Sequence, residues 1–116
     1  MATNRVLSFK HAIEGIWTAL KEEPSLKFHF IIALVVVTLA VVLNVTEVEW
    51  LILILTMGLV VSLELTNTAI EELVNSFTEN EHPAAKKAKD VAAGAVLVAS
   101  VTALIIGLFI FLPYII

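Results

Sequence analysis

The chain has 116 residues, 59% of them apolar, with no cysteine and a formal net charge of −4. Its mean hydropathy of +0.98 implies more apolar surface than a soluble domain of this size could hide, so the bilayer must be its solvent. The missing cysteines exclude a disulfide framework and thiol chemistry, and the length allows one small domain.

Residues 1–24 read as an amphipathic helix on the membrane surface. Phe9, Ile13, Ile16, Trp17 and Leu20 recur at helical spacing, while Lys10, Glu14, Lys21 and Glu22 take the other side. Pro24 suits a break or a new helix start. The first span is expected over residues 26–44, with Asn44-Val45-Thr46 turning the chain. Trp50 then opens a second span, residues 49–77, at an interface that favours its ring.

The second span is less plain than the first. Trp50 to Leu63 is apolar but short of the roughly 20 residues that cross a bilayer core, so the helix must continue through Glu64. The polar run from Thr78 to Pro83 reads as a loop. A lysine-bearing, alanine-rich start then leads into a third span, residues 85–116. There Ala93, Gly94, Ala95 and Ala99 would let helices approach closely. The apolar runs start too late, and run too long, for a cleaved signal peptide.

Charge placement gives an orientation. Arg5, Lys10, Lys21 and Lys27 precede the first apolar run, and Lys86, Lys87 and Lys89 lie between the second and third. The loop with Glu47 and Glu49 has no basic residue. Positive-inside counting therefore puts the N-terminus and the second loop in the cytoplasm, and the first loop and the C-terminus outside.

The chemistry gathers in the second span. At about 100° per residue, Glu64, Asn67, Thr68, Glu71 and Asn75 share one stripe. A carboxylate near a bilayer core costs about 2.5–3.5 kcal/mol even on lenient insertion scales. Glu64 lies deeper in the membrane, where desolvation suits a general base working near neutral pH. Glu71, nearer water, can offer oxygen ligands to Mg²⁺. Lys89-Asp90 enters the same zone, the lysine as a point charge for phosphate and the aspartate to orient it or assist the metal. Glu23 is a further carboxylate at that level.

Blander roles fit most other polar residues. His29 reads as an interfacial hydrogen bonder, Trp17 and Trp50 as interface anchors, and Lys86, Lys87 and Lys89, taken alone, as topology and headgroup charges. Glu22, Glu79 and Glu81 read as solvated loop charges. Neither a G-x-x-x-x-G-K-[ST] loop nor a G-x-G-x-x-G loop is present. A small proton-coupled transporter is the competing function, because a membrane-embedded Glu64 also suits a proton relay. Against it, Glu23 and Lys89-Asp90 gather at one membrane face and not along a path.

The run Glu64-Leu-Thr-Asn67-Thr-Ala-Ile-Glu71, then His82-Pro83 and Ala88-Lys89-Asp90-Val-Ala-Ala-Gly-Ala-Val96, closely resembles the small bacterial diacylglycerol kinase family. That family includes the undecaprenol kinases of Gram-positive bacteria. The resemblance implies an all-α integral membrane protein: an amphipathic surface helix plus three transmembrane helices in a homotrimeric bundle with shared active sites. It places the chain in the bacterial cytoplasmic membrane, with no nucleic acid among its partners.

The implied activity is transfer of the ATP γ-phosphate to a membrane lipid hydroxyl, with Mg²⁺, feeding phospholipid synthesis or lipid-carrier recycling. Carried onto this sequence, Glu64 is the general base and Asn67 supports it, while Glu23 and Glu71 bind Mg²⁺. Lys89 and Asp90 contact the nucleotide phosphates, Asn80, Glu81 and His82 line the nucleotide, and His11 lies near the adenine. The run after Lys89-Asp90 looks more like the undecaprenol kinase branch.

The sequence also departs from the family pattern. Ser25 stands where relatives often have Asn. Glu22 precedes Glu23, so either could be the ligand, with spacing to His29 favouring Glu23. Asn75 stands where an acidic residue is common.

Overall fold

A computed structural model describes residues 5–77 and 82–116. The described chain is all helical: α1 spans Arg5–Glu22, α2 Pro24–Leu43, α3 Glu47–Phe77 and α4 Pro83–Ile115. The last three are long and apolar enough to cross a membrane. Most of the apolar side chains on them are exposed, as lipid-solvated helices require, and include Leu34, Leu55, Val98 and Leu104.

Local sequence sets each boundary. The α1–α2 break falls on Glu23, whose backbone is extended, with Pro24 in the first turn of α2. A proline there gives up an N–H that would have had no partner, and it disfavours helical backbone at the residue before it. Asn44 ends α2 in the left-handed conformation at φ 54°, ψ 53°. Its neighbour Val45 donates its backbone N–H back to the Ala40 carbonyl at 3.2 Å. These are the marks of a Schellman-type stop, which asparagine tolerates better than most residues do.

At the start of α3, Thr46 and Glu49 form a reciprocal capping box. The Glu49 N–H donates to Thr46 Oγ1 at 3.2 Å, and the Thr46 N–H donates to Glu49 Oε1 at 2.9 Å. The Tyr114 hydroxyl donates to the same Glu49 oxygen, tying the end of α4 to the start of α3. Pro83 begins α4 where the sequence suggested the end of a loop, and His82 Nδ1 caps it by accepting from the Ala84 N–H at 3.2 Å.

The core is concentrated at the end of the bundle holding the α2–α3 turn, where Ala40, Val45, Leu53, Ile110 and Phe111 are buried together. Helices α3 and α4 pack together through Ala92 and Ala99, which are buried on α4, while a Cβ on Gly94 would meet nothing within 4 Å. Of the small residues expected to allow a close approach only Ala99 is buried; Ala93 and Ala95 are exposed, Gly94 meets nothing, and Ala92 was not among those expected.

Helix α3 is about 46 Å long at 1.5 Å per residue, more than a hydrocarbon core of roughly 30 Å. Measured from Trp50, Glu64 lies about 21 Å along the axis and Glu71 about 32 Å.

Candidate active site

Glu64 is 3% exposed, the most buried charged residue described, and Asn67, one turn later, is 9% exposed. Burial of a carboxylate is tolerated only where its oxygens are satisfied. Ser25 Oγ donates to Glu64 Oε1 at 2.8 Å, and His29 Nε2 lies 3.2 Å from Glu64 Oε2. Both partners stand four residues apart on the first turns of α2 and so share one face. Leu26, fully buried between them in sequence, holds that part of α2 in place.

The sequence reading missed Ser25 and His29 as partners of Glu64. It treated Ser25 as a departure from the family pattern and His29 as a bland interfacial group. The available signal was their i, i+4 spacing next to a helix carrying a membrane-buried acid in need of donors.

Farther along the stripe, Asn67 Nδ2 donates to Glu71 Oε1 at 3.0 Å. That contact fixes the amide orientation, because a carboxylate only accepts. The other amide atom, Asn67 Oδ1, is buried without a hydrogen-bond partner among the described residues. Glu71 itself is half-buried and Asn75 is exposed, so the stripe grades from buried to exposed along α3.

Lys89 and Asp90 are held by neighbours on the same side of the bundle. Lys89 Nζ donates to Asn75 Oδ1 at 3.1 Å, and Lys86 Nζ pairs with Asp90 Oδ2 at 2.6 Å along α4. The first contact gives Asn75 a place beside the expected phosphate lysine. Glu23 is half-buried and borders a cavity of about 540 Å³ between α1 and α3, together with Glu22, Thr68 and Glu72. Glu72, which the sequence reading did not single out, joins that rim. His11 is exposed on α1, and His82 caps α4. Asn80 and Glu81 lie outside the described residues.

A second, apolar groove of about 490 Å³ runs between α2, α3 and α4. It starts at Phe28 and His29 and extends past Val36, Met57 and Leu104 to Ile115. One end thus reaches the histidine beside Glu64, while the rest is lined by apolar side chains with Thr56 and Ser100 among them.

Among the described residues no group of three or more His, Cys, Asp or Glu side chains stands ready to enclose a metal. Mg²⁺ does not need such a cage, since it takes one or two carboxylates and fills its octahedron with water and phosphate oxygens. Glu71, oriented by Asn67, and Glu23, beside the α1–α3 cavity, are hard oxygen donors that fit this demand.

Comparison with known proteins identifies the family. The family model described as prokaryotic diacylglycerol kinase matches residues 10–111. The chain is 47% identical over 106 residues to an undecaprenol kinase of Bacillus subtilis, covering 91% of this chain and 86% of that one. It is 38% identical over 114 residues to a diacylglycerol kinase of Synechocystis, covering 97% of this chain and 65% of that one. A diacylglycerol kinase of Haemophilus influenzae is 29% identical over 97 residues, or 84% and 82% of the two chains. A membrane protein with a buried, doubly held glutamate and a polar stripe leading to water, this chain belongs to the prokaryotic diacylglycerol kinase family.

Proposed function

We propose that the protein transfers the ATP γ-phosphate to the hydroxyl of a membrane lipid, with undecaprenol favoured over diacylglycerol. The carrying observation is Glu64, buried yet held through both oxygens, at the membrane level where a lipid hydroxyl and a cytoplasmic nucleotide can meet. The identity to the Bacillus subtilis undecaprenol kinase supports the choice of lipid.

In this reading Glu64 takes the proton of the lipid hydroxyl as it attacks phosphorus. Asn67 supports the site by fixing Glu71, and its unpartnered Oδ1 accepts from a donor that arrives with the substrates or with water. Lys89, at the level of Asn75, places a point charge against the nucleotide phosphates, and Asp90 orients them alongside. Glu23 and Glu71 would hold Mg²⁺, which supplies charge neutralisation on the phosphate oxygens. His11, Asn80, Glu81 and His82 would face the nucleotide. Most of the rate would come from positioning and charge stabilisation, as phosphoryl transfer generally requires.

The same proposal makes the enzyme a homotrimer with active sites shared between neighbours, in the bacterial cytoplasmic membrane with the site facing the cytoplasm. Two observations support it. Among the described residues Lys89 and Asp90 are engaged by Asn75 and Lys86 and not by Glu64 or Glu71, which suits a site completed by a neighbouring chain. Phe9, Ile13 and Trp17 on α1 are also left exposed, as a helix lying on a membrane surface would leave them.

The test is direct. Purified protein in mixed micelles, given MgATP and either undecaprenol or diacylglycerol, should phosphorylate both, with undecaprenol faster. Phosphorylation of neither lipid by folded protein would remove the proposal, and a faster rate on diacylglycerol would reverse the choice of lipid.

A further inference from the structure

We propose, resting on the reading of Glu64 as the general base, that Ser25 and His29 are positioning residues that lock its carboxylate for the attack. A glutamate side chain turns about three single bonds, and a base that turns freely spends little time aimed at the reacting proton. Here each oxygen has its own anchor: Ser25 Oγ on Oε1 at 2.8 Å and His29 Nε2 on Oε2 at 3.2 Å. Both anchors sit on one face of one helix, immediately after the Pro24 break, so a single rigid element sets the plane of the carboxylate.

The hydrogen-bond inventory leaves room for chemistry. A carboxylate offers about four lone-pair sites; the Ser25 hydroxyl takes one on Oε1, and His29 Nε2 stands 3.2 Å from Oε2. A second site on each oxygen stays available to a lipid hydroxyl. His29 also stands at the polar end of the apolar groove between α2, α3 and α4. The residue that aims the base therefore also marks where that hydrocarbon lining ends.

A purely structural pair would show the same distances, so the test separates aim from fold. Turnover is measured in mixed micelles with MgATP and undecaprenol. His29→Leu is expected to lower kcat about 10- to 100-fold, the scale of a misplacement of about 1 Å, with KM for MgATP unchanged. His29→Gln, which keeps an N–H at the reach of Nε2, should recover most of that loss. Ser25→Ala should also lower kcat, and Ser25→Thr, which keeps the hydroxyl, should restore it. If His29→Leu does not fold, the Ser25 pair decides alone.

Wild-type kcat in His29→Leu or Ser25→Ala overturns the proposal, as does a Gln variant no better than Leu. Glu64→Gln keeps the two failures apart. An active Glu64→Gln removes the base reading and this proposal with it. An inactive Glu64→Gln beside a fully active His29→Leu removes only the positioning role.

Discussion

Asn67 donates its amide N–H to Glu71 Oε1 at 3.0 Å while its own carbonyl oxygen lies buried with no partner among the described residues. One side chain thus fixes the half-buried Glu71 carboxylate and presents an open acceptor one turn from Glu64. Removing it should act through Glu71. Asn67→Ala is expected to raise the Mg²⁺ concentration for half-maximal rate about 10- to 100-fold, the usual scale for losing a residue that orients a metal ligand. A Mg²⁺ titration of initial rate checks this, and an unshifted midpoint would detach Asn67 from the metal.

Glu71→Gln tests the ligand itself. The amide keeps an oxygen for Asn67 Nδ2, so the local hydrogen bond survives while the charge is lost. The expected outcome is a Mg²⁺ requirement raised at least as far as in Asn67→Ala, with thermal stability in detergent unchanged. An unaltered Mg²⁺ dependence would leave Glu71 a structural partner of Asn67 and nothing more.

Glu64→Gln should abolish lipid phosphorylation while MgATP binding persists, because a neutral amide cannot take a proton yet fills the same space. Equilibrium binding of MgATP beside a turnover assay separates the two. Near-normal turnover would end the assignment of Glu64 as base.

How much of this was legible in the sequence differs from residue to residue. The three long helices follow from apolar runs that only a bilayer can solvate, and the stripe from Glu64 to Asn75 follows from helical periodicity alone. The turn at Asn44 was equally readable, since asparagine accepts the left-handed backbone that stops α2. Contacts between helices were not legible. Nothing local says that Ser25 and His29 on α2 meet Glu64 on α3, because their separation of 39 and 35 positions is closed only by packing. For the same reason Ala92 is buried while the more suggestive Gly94 meets nothing, and Glu72 joins the rim of the α1–α3 cavity.

At the opposite end, the Tyr114 hydroxyl and the Thr46 cap share the carboxylate of Glu49. Tyr114→Phe removes the tie between α4 and the start of α3 without disturbing the capping box. It should lower the thermal midpoint in detergent and leave kcat intact, since Glu49 and Glu64 are separated by about 22 Å of helix. A loss of turnover at unchanged stability would instead mean that the two ends of the bundle are coupled.

Lys89 gives the last test. Its ammonium donates to Asn75 Oδ1 at 3.1 Å, a neutral and exposed partner that a phosphate can displace at little cost. Hydrogen bonds to charged groups contribute about 1.5–3 kcal/mol, which is roughly 10- to 100-fold in an equilibrium constant. Lys89→Ala should therefore weaken MgATP use by about that factor, read as kcat/KM for MgATP. Asn75→Ala removes only the resting contact and should change the same quantity far less. If Asn75→Ala proves as damaging as Lys89→Ala, Asn75 is not a passive rest for the lysine but a group that aims it. If neither variant changes kcat/KM for MgATP, the phosphates are held elsewhere.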